Sequence, residues 1–188
     1  MKNRFFLCAI TIMVALTMSV NAAQRGKFIH VDNTVNKNLK PQIAFCQDHK
    51  DGKEVTTLLV KTVNTNAYNE FTDASRMLIR FADGKAMRLN RLAGDEAQKN
   101  KYSKKNGNAT ISYFETITEY ETLPEVIEKL EAGIAIIKVR IVFKENDAKD
   151  YDIAEGHQAK MAADLLKSYQ EAVLAERKSN TDLSDDDF

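Results

Sequence analysis

Residues 76–92 read RMLIRFADGKAMRLNRL, and the prediction of the fold starts from this stretch. Apolar and polar side chains alternate on both sides of Asp83 and Gly84, which is the period of a half-buried strand. An Asp-Gly pair tolerates the positive φ angles of a tight turn, so the stretch predicts a β-hairpin. A two-residue loop would place Leu78 opposite Leu89 on the returning strand.

Further strands are expected on both sides of this hairpin. Residues 42–47 alternate, residues 55–63 are rich in β-branched side chains, and residues 110–120 combine Thr, Tyr, Phe and Ile. Residues 134–143 have the continuous apolar character of a buried strand. Residues 94–109 are polar and lack an apolar period, which predicts a mobile loop.

Two helices are expected after most of the strands. The sequence Thr122-Leu123-Pro124-Glu125 has the form of a capping box, in which the threonine side chain accepts from the glutamate N–H. Gly133 would end this short helix in a left-handed conformation. Residues 155–177 carry an apolar stripe at helical spacing and predict a long C-terminal helix.

Runs of strands followed by helices favour an α+β fold over a doubly wound sheet. We therefore predict a single, mostly antiparallel sheet, with the short helix and the long C-terminal helix packed on one face. The residues expected in the core are Ile137, Val139, Ile141, Leu165 and Tyr169.

Residues 1–22 have the pattern of a cleaved secretory signal peptide. A basic start precedes an apolar run, and Val20 and Ala22 are small residues at the positions that a signal peptidase reads. The run of about 16 apolar residues is shorter than the ~20 that span a bilayer, so no membrane span is expected. The sequence thus predicts a periplasmic or secreted protein, with residues 23–177 as one domain and residues 178–188 as an acidic, disordered tail.

Composition is that of an ordinary globular protein. The chain has 188 residues, of which 44% are hydrophobic and 29% charged, and its 27 basic and 27 acidic side chains balance. These values exclude a fully disordered chain, and 7 Gly with 2 Pro exclude a collagen-like fibre. The balanced charge gives no overall attraction to nucleic acid, which we do not expect as a partner.

Charge is nevertheless unevenly distributed along the chain. Residues 76–105 carry 9 basic and 3 acidic side chains, whereas residues 106–188 carry 9 basic and 18 acidic ones. A stretch of this kind is either a binding patch for an anionic partner or a segment neutralised inside the fold.

Four cations are the candidate binding residues. Arg80 and Arg88 lie at the less apolar positions of the hairpin, and Lys138 and Arg140 lie on the polar side of the strand at 134–143. If these strands share a sheet, the four side chains form one positive face for an anionic ligand, such as an acidic polysaccharide, a lipid headgroup or an acidic protein. The alternative is internal pairing with acidic residues of the strand at 110–120, which are Glu115, Glu119 and Glu121.

Catalytic and metal-binding motifs are not found. The sequence contains no G-x-S-x-G, no S-x-x-K and no glycine-rich phosphate loop. Cys46 and His49 have C-x-x-H spacing, but no second pair completes a zinc site. After signal cleavage Cys46 is the only thiol, and a lone cysteine is usually buried and inert. The carboxylates Asp147, Asp150 and Asp152 lack the glycine and final glutamate of an EF-hand calcium loop.

We therefore expect neither a cofactor nor a metal, and an exported non-catalytic domain that binds an envelope protein or an extracellular ligand. The alternative is a small hydrolase whose carboxylates meet only in the folded protein. Glu119 and Glu121, which share one face of a strand, illustrate such a pair.

One resemblance supports export. The hairpin LIRFADGKAMRL at residues 78–89 and the segment YETLPEVIEKL at residues 120–130, with the C-terminal helix, resemble a group of small uncharacterised exported bacterial proteins. The similarity covers about residues 55–175. It implies an exported α+β domain and carries no activity, cofactor or functional residue.

Overall fold

The computed structural model describes residues 23–31, 39–50, 53–94 and 96–181. The expected signal peptide and residues 182–188 of the expected tail lie outside these residues. The strands of the described part are β1 (Gln24–Arg25), β2 (Ile29–His30), β3 (Gln42–Lys50), β4 (Lys53–Asn64), β5 (Arg76–Phe81), β6 (Ala86–Asn90), β7 (Gln98–Asn106), β8 (Ala109–Glu121), β9 (Ile136–Lys144) and β10 (Asp147–Asp152). The helices are α1 (Pro124–Glu131) and α2 (Glu155–Thr181).

The strands form two antiparallel sheets. The six-stranded sheet has the order β1-β3-β4-β8-β7, with β2 also paired to β3, and the four-stranded sheet has the order β10-β9-β5-β6. A bridge between Arg91 and Tyr120 connects the end of the four-stranded sheet to β8. The predicted single sheet is therefore wrong, and open sheets in general rarely exceed about ten strands without splitting into two packed sheets.

The α+β class is also wrong, because the chain is mostly β and the two helices account for about a fifth of it. Helix α2 contacts β1, β2 and β3 of one sheet and β9 of the other. It therefore spans both sheets, whereas the prediction placed it across one face of a single sheet. The helix continues to Thr181, beyond the predicted end at residue 177.

The core lies between the two sheets and α2. Of the predicted core residues, Val139, Ile141 and Leu165 are fully buried, while Ile137 and Tyr169 are half-buried. The other large side chains with less than 2% exposure are Tyr120, Phe45, Phe81, Ile43, Leu58, Met77, Ile79, Leu89, Leu130 and Ile136.

The hairpin of β5 and β6 is present, but its register differs by one residue from the prediction. Leu89 lies opposite Met77, where the prediction placed it opposite Leu78. The carbonyl of Phe81 accepts from the N–H of Gly84 at 3.1 Å, and Gly84 has a φ of +84°. This geometry is a three-residue loop with a left-handed glycine, which turns the apolar side chains of both strands to the core.

Helix α1 begins without the predicted capping box. Its N-cap is Leu123, no side chain caps the helix, and the hydroxyl of Thr122 is buried without a hydrogen-bond partner. Pro124 takes the first helical position, where its missing N–H costs nothing. The expected left-handed end is confirmed, because Gly133 has a φ of +69° and donates to the carbonyl of Leu130.

The expected mobile loop at residues 94–109 is instead largely strand β7. This edge strand is exposed on both faces, with only Tyr102 half-buried. An edge strand that buries neither face has no apolar alternation, so its sequence resembles that of a polar loop. Lysines along such an edge also protect it against pairing with another chain.

The N-terminal segment, residues 23–31 with β1 and β2, lies against β3 and α2. Gly26 donates its N–H to the carbonyl of Phe45 at 2.9 Å, and the N–H of Phe45 donates to the hydroxyl of Ser168 at 3.1 Å. A Cβ atom at Gly26 would lie 1.9 Å from the carbonyl oxygen of Ser168. Only glycine therefore fits at this crossing.

Candidate functional site

The outward side of the four-stranded sheet carries the predicted binding residues. Met77 and Ile79 of β5 and Val139 and Ile141 of β9 point into the core. Because strand side chains alternate, the residues between them point outward. We call this outward side the cationic face, and its charged members include Arg76, Arg80, Arg88, Lys138, Arg140, Lys144, Asp150 and Asp152.

The register brings the four predicted cations together. Arg80 lies directly opposite Lys138, so their Cβ atoms are about 5 Å apart. Arg88 and Arg140 lie on either side of Leu78, which puts them two strands, or roughly 10 Å, apart. The hairpin and the strand at 134–143 therefore share a sheet, which was the condition for a single positive face.

Two of the cations are held by aspartates of β10. Arg140 donates through Nη2 to Asp150 at 2.7 Å and through Nε to the other oxygen of the same carboxylate. This pairing lowers the pKa of Asp150 and raises that of Arg140. Lys138 lies 2.9 Å from Asp152 and 3.7 Å from Asp150.

These ion pairs differ from the predicted internal pairing. Glu115 lies in the other sheet, where it accepts from Asn100 and pairs with Lys61 at 3.8 Å. Glu121 accepts from the backbone and side chain of Asn90. The internal partners of the cationic face are therefore aspartates that the sequence places in a polar link, which is strand β10 in the structure.

Two of the three hairpin arginines are the exposed, unpaired cations of this face. Arg80 and Arg88 are exposed, and neither forms an ion pair with any residue that the structure describes. Arg76, half-buried beside Leu78, belongs to the same face and is missed by the sequence reasoning. Arg76 precedes Leu78 by two residues and Arg80 by four, and residues at even spacings share one side of a strand. This spacing is the sequence signal that identifies Arg76 as a member of the face. With the exposed Lys144 at the end of β9, the face carries six cations, and three of these pair with the carboxylates of Asp150, Asp152 and Glu70.

Cys46 is buried, with 4% of its surface exposed. Burial and the nearby Glu119 carboxylate raise the pKa of its thiol to about 11. The thiol is thus protonated at neutral pH and is a poor nucleophile. Within the described part of the chain no group of His, Cys, Asp and Glu side chains is placed to hold a metal ion.

A recess of about 390 Å³ opens on the side of the six-stranded sheet that faces away from the main core. Arg25, Cys46, Glu96 and Glu119 contribute to its lining. Two carboxylates thus share a cavity, although Glu121, the predicted neighbour of Glu119, is held by Asn90. This recess is where a carboxylate-dependent hydrolase has its candidate acid and base.

Comparison with known proteins identifies no relative. No protein family model matches the sequence, and no curated protein or solved structure is significantly similar to it. The resemblance to exported bacterial proteins therefore stays a prediction. No helix in the described residues is both long and apolar enough to cross a membrane.

Proposed function

We propose that this chain is an exported, non-catalytic domain, periplasmic or secreted, that binds an acidic polysaccharide on the cationic face. The observation that carries the proposal is the exposed, unpaired state of Arg80 and Arg88 beside two cations that already have aspartate partners. The face therefore retains positive charge that the described residues do not neutralise.

The shape of the face favours a linear ligand. Three of the four paired strands, β9, β5 and β6, present cations in rows about 5 Å apart, so carboxylates or sulfates along an extended polymer can meet several of them. Arginine suits this role because its planar guanidinium binds a carboxylate or sulfate through two parallel hydrogen bonds. Arg80 beside Lys138 also places like charges together, which a bound anion relieves.

The experiment compares binding of residues 23–188 to two probes, polygalacturonate for carboxylate and heparin for sulfate, by calorimetry. We expect Arg80→Gln/Arg88→Gln to weaken binding at least tenfold, because both available cations are removed. A charge-matched control, Lys53→Gln/Lys167→Gln, changes exposed lysines outside the face and should bind nearly as wild type. Binding should weaken as salt rises, because exposed charges are screened.

The arginine variant should unfold at the same urea concentration as wild type, since neither arginine has an ion pair to lose among the described residues. Unchanged affinity of this folded variant for both probes would overturn the proposal. Equal weakening by the control would show that only overall charge matters, and this too would contradict a site on the cationic face.

The alternative hydrolase has a separate location and a separate test. Glu96 and Glu119 share the recess, although its described lining contains no histidine and the Cys46 thiol is protonated at neutral pH. Incubated probes should therefore gain no reducing ends with time. Release of reducing ends that is abolished by Glu119→Gln would replace the non-catalytic proposal by a carboxylate mechanism in the recess.

A further inference from the structure

The hairpin of β7 and β8 extends past the rest of its sheet. Strand β4 pairs with β8 only from Phe114 onward, where Phe114 lies opposite Asn64. From Tyr102 to Tyr113 the two strands have no third strand beside them in the described structure. We call residues 98–114 the lysine ribbon. All residues from 103 to 110 are exposed, so the end of the ribbon stands free of the core.

The lysine ribbon is purely cationic. Residues 98–114 contain Lys99, Lys101, Lys104 and Lys105 and no Asp or Glu. All four lysines are exposed, and none forms an ion pair among the residues that the structure describes. The ribbon therefore lacks the partners that Arg140 and Lys138 have on the cationic face.

Its charges lie on both sides of the ribbon. Lys99, Lys101 and Lys105 are separated by even numbers of residues and share one side, because strand side chains alternate. Lys104 lies on the opposite side together with Tyr102. A rigid polymer that runs along one side of the ribbon would leave the cations of the other side without a partner.

Aromatic rings accompany the lysines on both sides. Tyr102 and Tyr113 stack with ring centroids 5.3 Å apart, and the Lys104 ammonium lies 5.7 Å from the first ring and 5.9 Å from the second. On the other side the Lys101 ammonium lies 5.1 Å from the Phe114 ring. Tyrosine with lysine is the combination that proteins use at the water–lipid boundary, where a ring is half in apolar surroundings and an ammonium meets phosphates.

We infer that the lysine ribbon docks a membrane surface, by entering the headgroup layer of anionic phospholipids. Headgroups surround an inserted ribbon, so lysines on both sides meet phosphate, which a single polymer chain does not provide. The uncharged end at residues 106–110, Asn-Gly-Asn-Ala-Thr, enters this layer without burying a charge. The contact is peripheral and is independent of the polysaccharide proposal, which uses the other sheet.

Vesicle sedimentation tests the inference with two lipid compositions. Residues 23–188 should bind vesicles of phosphatidylglycerol and phosphatidylcholine far more tightly than vesicles of phosphatidylcholine alone. A basic residue near such a surface contributes about a fivefold gain in binding, so Lys99→Gln/Lys101→Gln/Lys104→Gln/Lys105→Gln should reduce binding about a hundredfold or more. The variant should keep the wild-type urea midpoint, because all four side chains are exposed.

A charge-matched control separates the ribbon from overall charge. It replaces four exposed lysines elsewhere with glutamine, namely Lys53, Lys85, Lys149 and Lys167. This control should retain most of the vesicle binding. Equal losses in both variants would contradict the inference, as would tight binding to phosphatidylcholine alone or a ribbon variant that loses heparin binding while its vesicle binding is unchanged.

Because the sequence contains no tryptophan, the fluorescence of a single introduced tryptophan reports which surface of the protein contacts the membrane. A Tyr102→Trp reporter should be quenched by brominated lipid in anionic vesicles. A Leu174→Trp reporter, at a side chain on α2 that is 54% exposed, should not be quenched. Quenching of the α2 reporter alone would place another surface on the membrane and overturn the inference.

Discussion

Replacing Gly26 with alanine tests how closely the N-terminal segment approaches α2. The added Cβ would lie 1.9 Å from the Ser168 carbonyl oxygen, whereas ordinary contacts begin at 3.4 Å. The segment and the helix must therefore separate by about 1.5 Å. The oxygen belongs to the helix backbone, so no side-chain rotation relieves the overlap.

The expected loss of stability has two sources. Forcing extra atoms into a packed region costs about 1–3 kcal/mol. Separation also weakens the bond from the Phe45 N–H to the Ser168 hydroxyl, and a buried donor without its partner costs about 1–3 kcal/mol. Gly26→Ala should thus lower the free energy of unfolding by about 2–6 kcal/mol.

Urea unfolding of residues 23–188 measures this loss. With a slope of about 1–3 kcal/mol per molar urea, a loss of at least about 2 kcal/mol should lower the midpoint by about 0.7 M or more. Ser168→Ala removes the hydroxyl alone and should cost less than Gly26→Ala. The control is Gly156→Ala, because a Cβ at this position in the first turn of α2 meets nothing within 4 Å and alanine favours a helix. A Gly26→Ala midpoint equal to that of wild type would refute the close approach.

Three further predictions concern the core and two titrating groups. Leu165→Ala should cost about 2–5 kcal/mol in urea unfolding, because the side chain is fully buried; a loss below about 1 kcal/mol would contradict this packing. The folded-state pKa of Cys46, about 11, exceeds its ordinary value of 9.0, so its contribution to stability is present below pH 9 and is lost as pH rises toward 11. Cys46→Ala should therefore lose less stability than wild type between pH 8 and pH 10.5, and equal losses would count against the shift. The hydrogen bond from Lys129 lowers the pKa of Asp83 below 3.8, so its contribution is present above that pH and is lost as pH falls. Asp83→Asn should show a smaller drop in urea midpoint between pH 6 and pH 3, and an identical drop would argue against this pairing.

Local sequence patterns locate the elements of this protein better than they pair them. Alternation and the Asp-Gly turn place the hairpin of β5 and β6 correctly, but a three-residue loop shifts Leu89 opposite Met77. The choice between two- and three-residue loops depends on whether Gly84 alone, or Asp83 with it, takes a positive φ, and Asp-Gly suits both.

The division into two sheets depends on contacts between distant parts of the chain. Strand β4 pairs with β8, so that Leu58 lies opposite Tyr120, and β5 pairs with β9, so that Met77 lies opposite Ile141. Alternation shows which side of a strand is buried, but it does not identify the neighbouring strand. A single sheet and two sheets therefore predict the same apolar positions.

The residues of the candidate site could likewise be predicted from the sequence only in part. The outward positions of Arg80, Arg88, Lys138 and Arg140 follow from alternation in strands that each have a buried side. The outward positions of the β10 aspartates do not follow from alternation, because the sequence DAKDYD has a single large apolar side chain and resembles a connecting segment. An exposed edge strand is thus difficult to recognise from its own sequence, and its charges are difficult to assign to a sheet.

The contacts between the N-terminal segment and α2 also constrain when the protein can complete its fold. The Lys27 N–H donates to the Glu171 carboxylate across 144 positions, and the bond from Phe45 to Ser168 spans 123. Long-range closure of this kind slows folding, because a large loop must be ordered before its contacts form. A nascent chain still lacking its last helix has a β3 without its contacts to α2. The strands made first therefore acquire their final packing only when almost the whole chain has been synthesised.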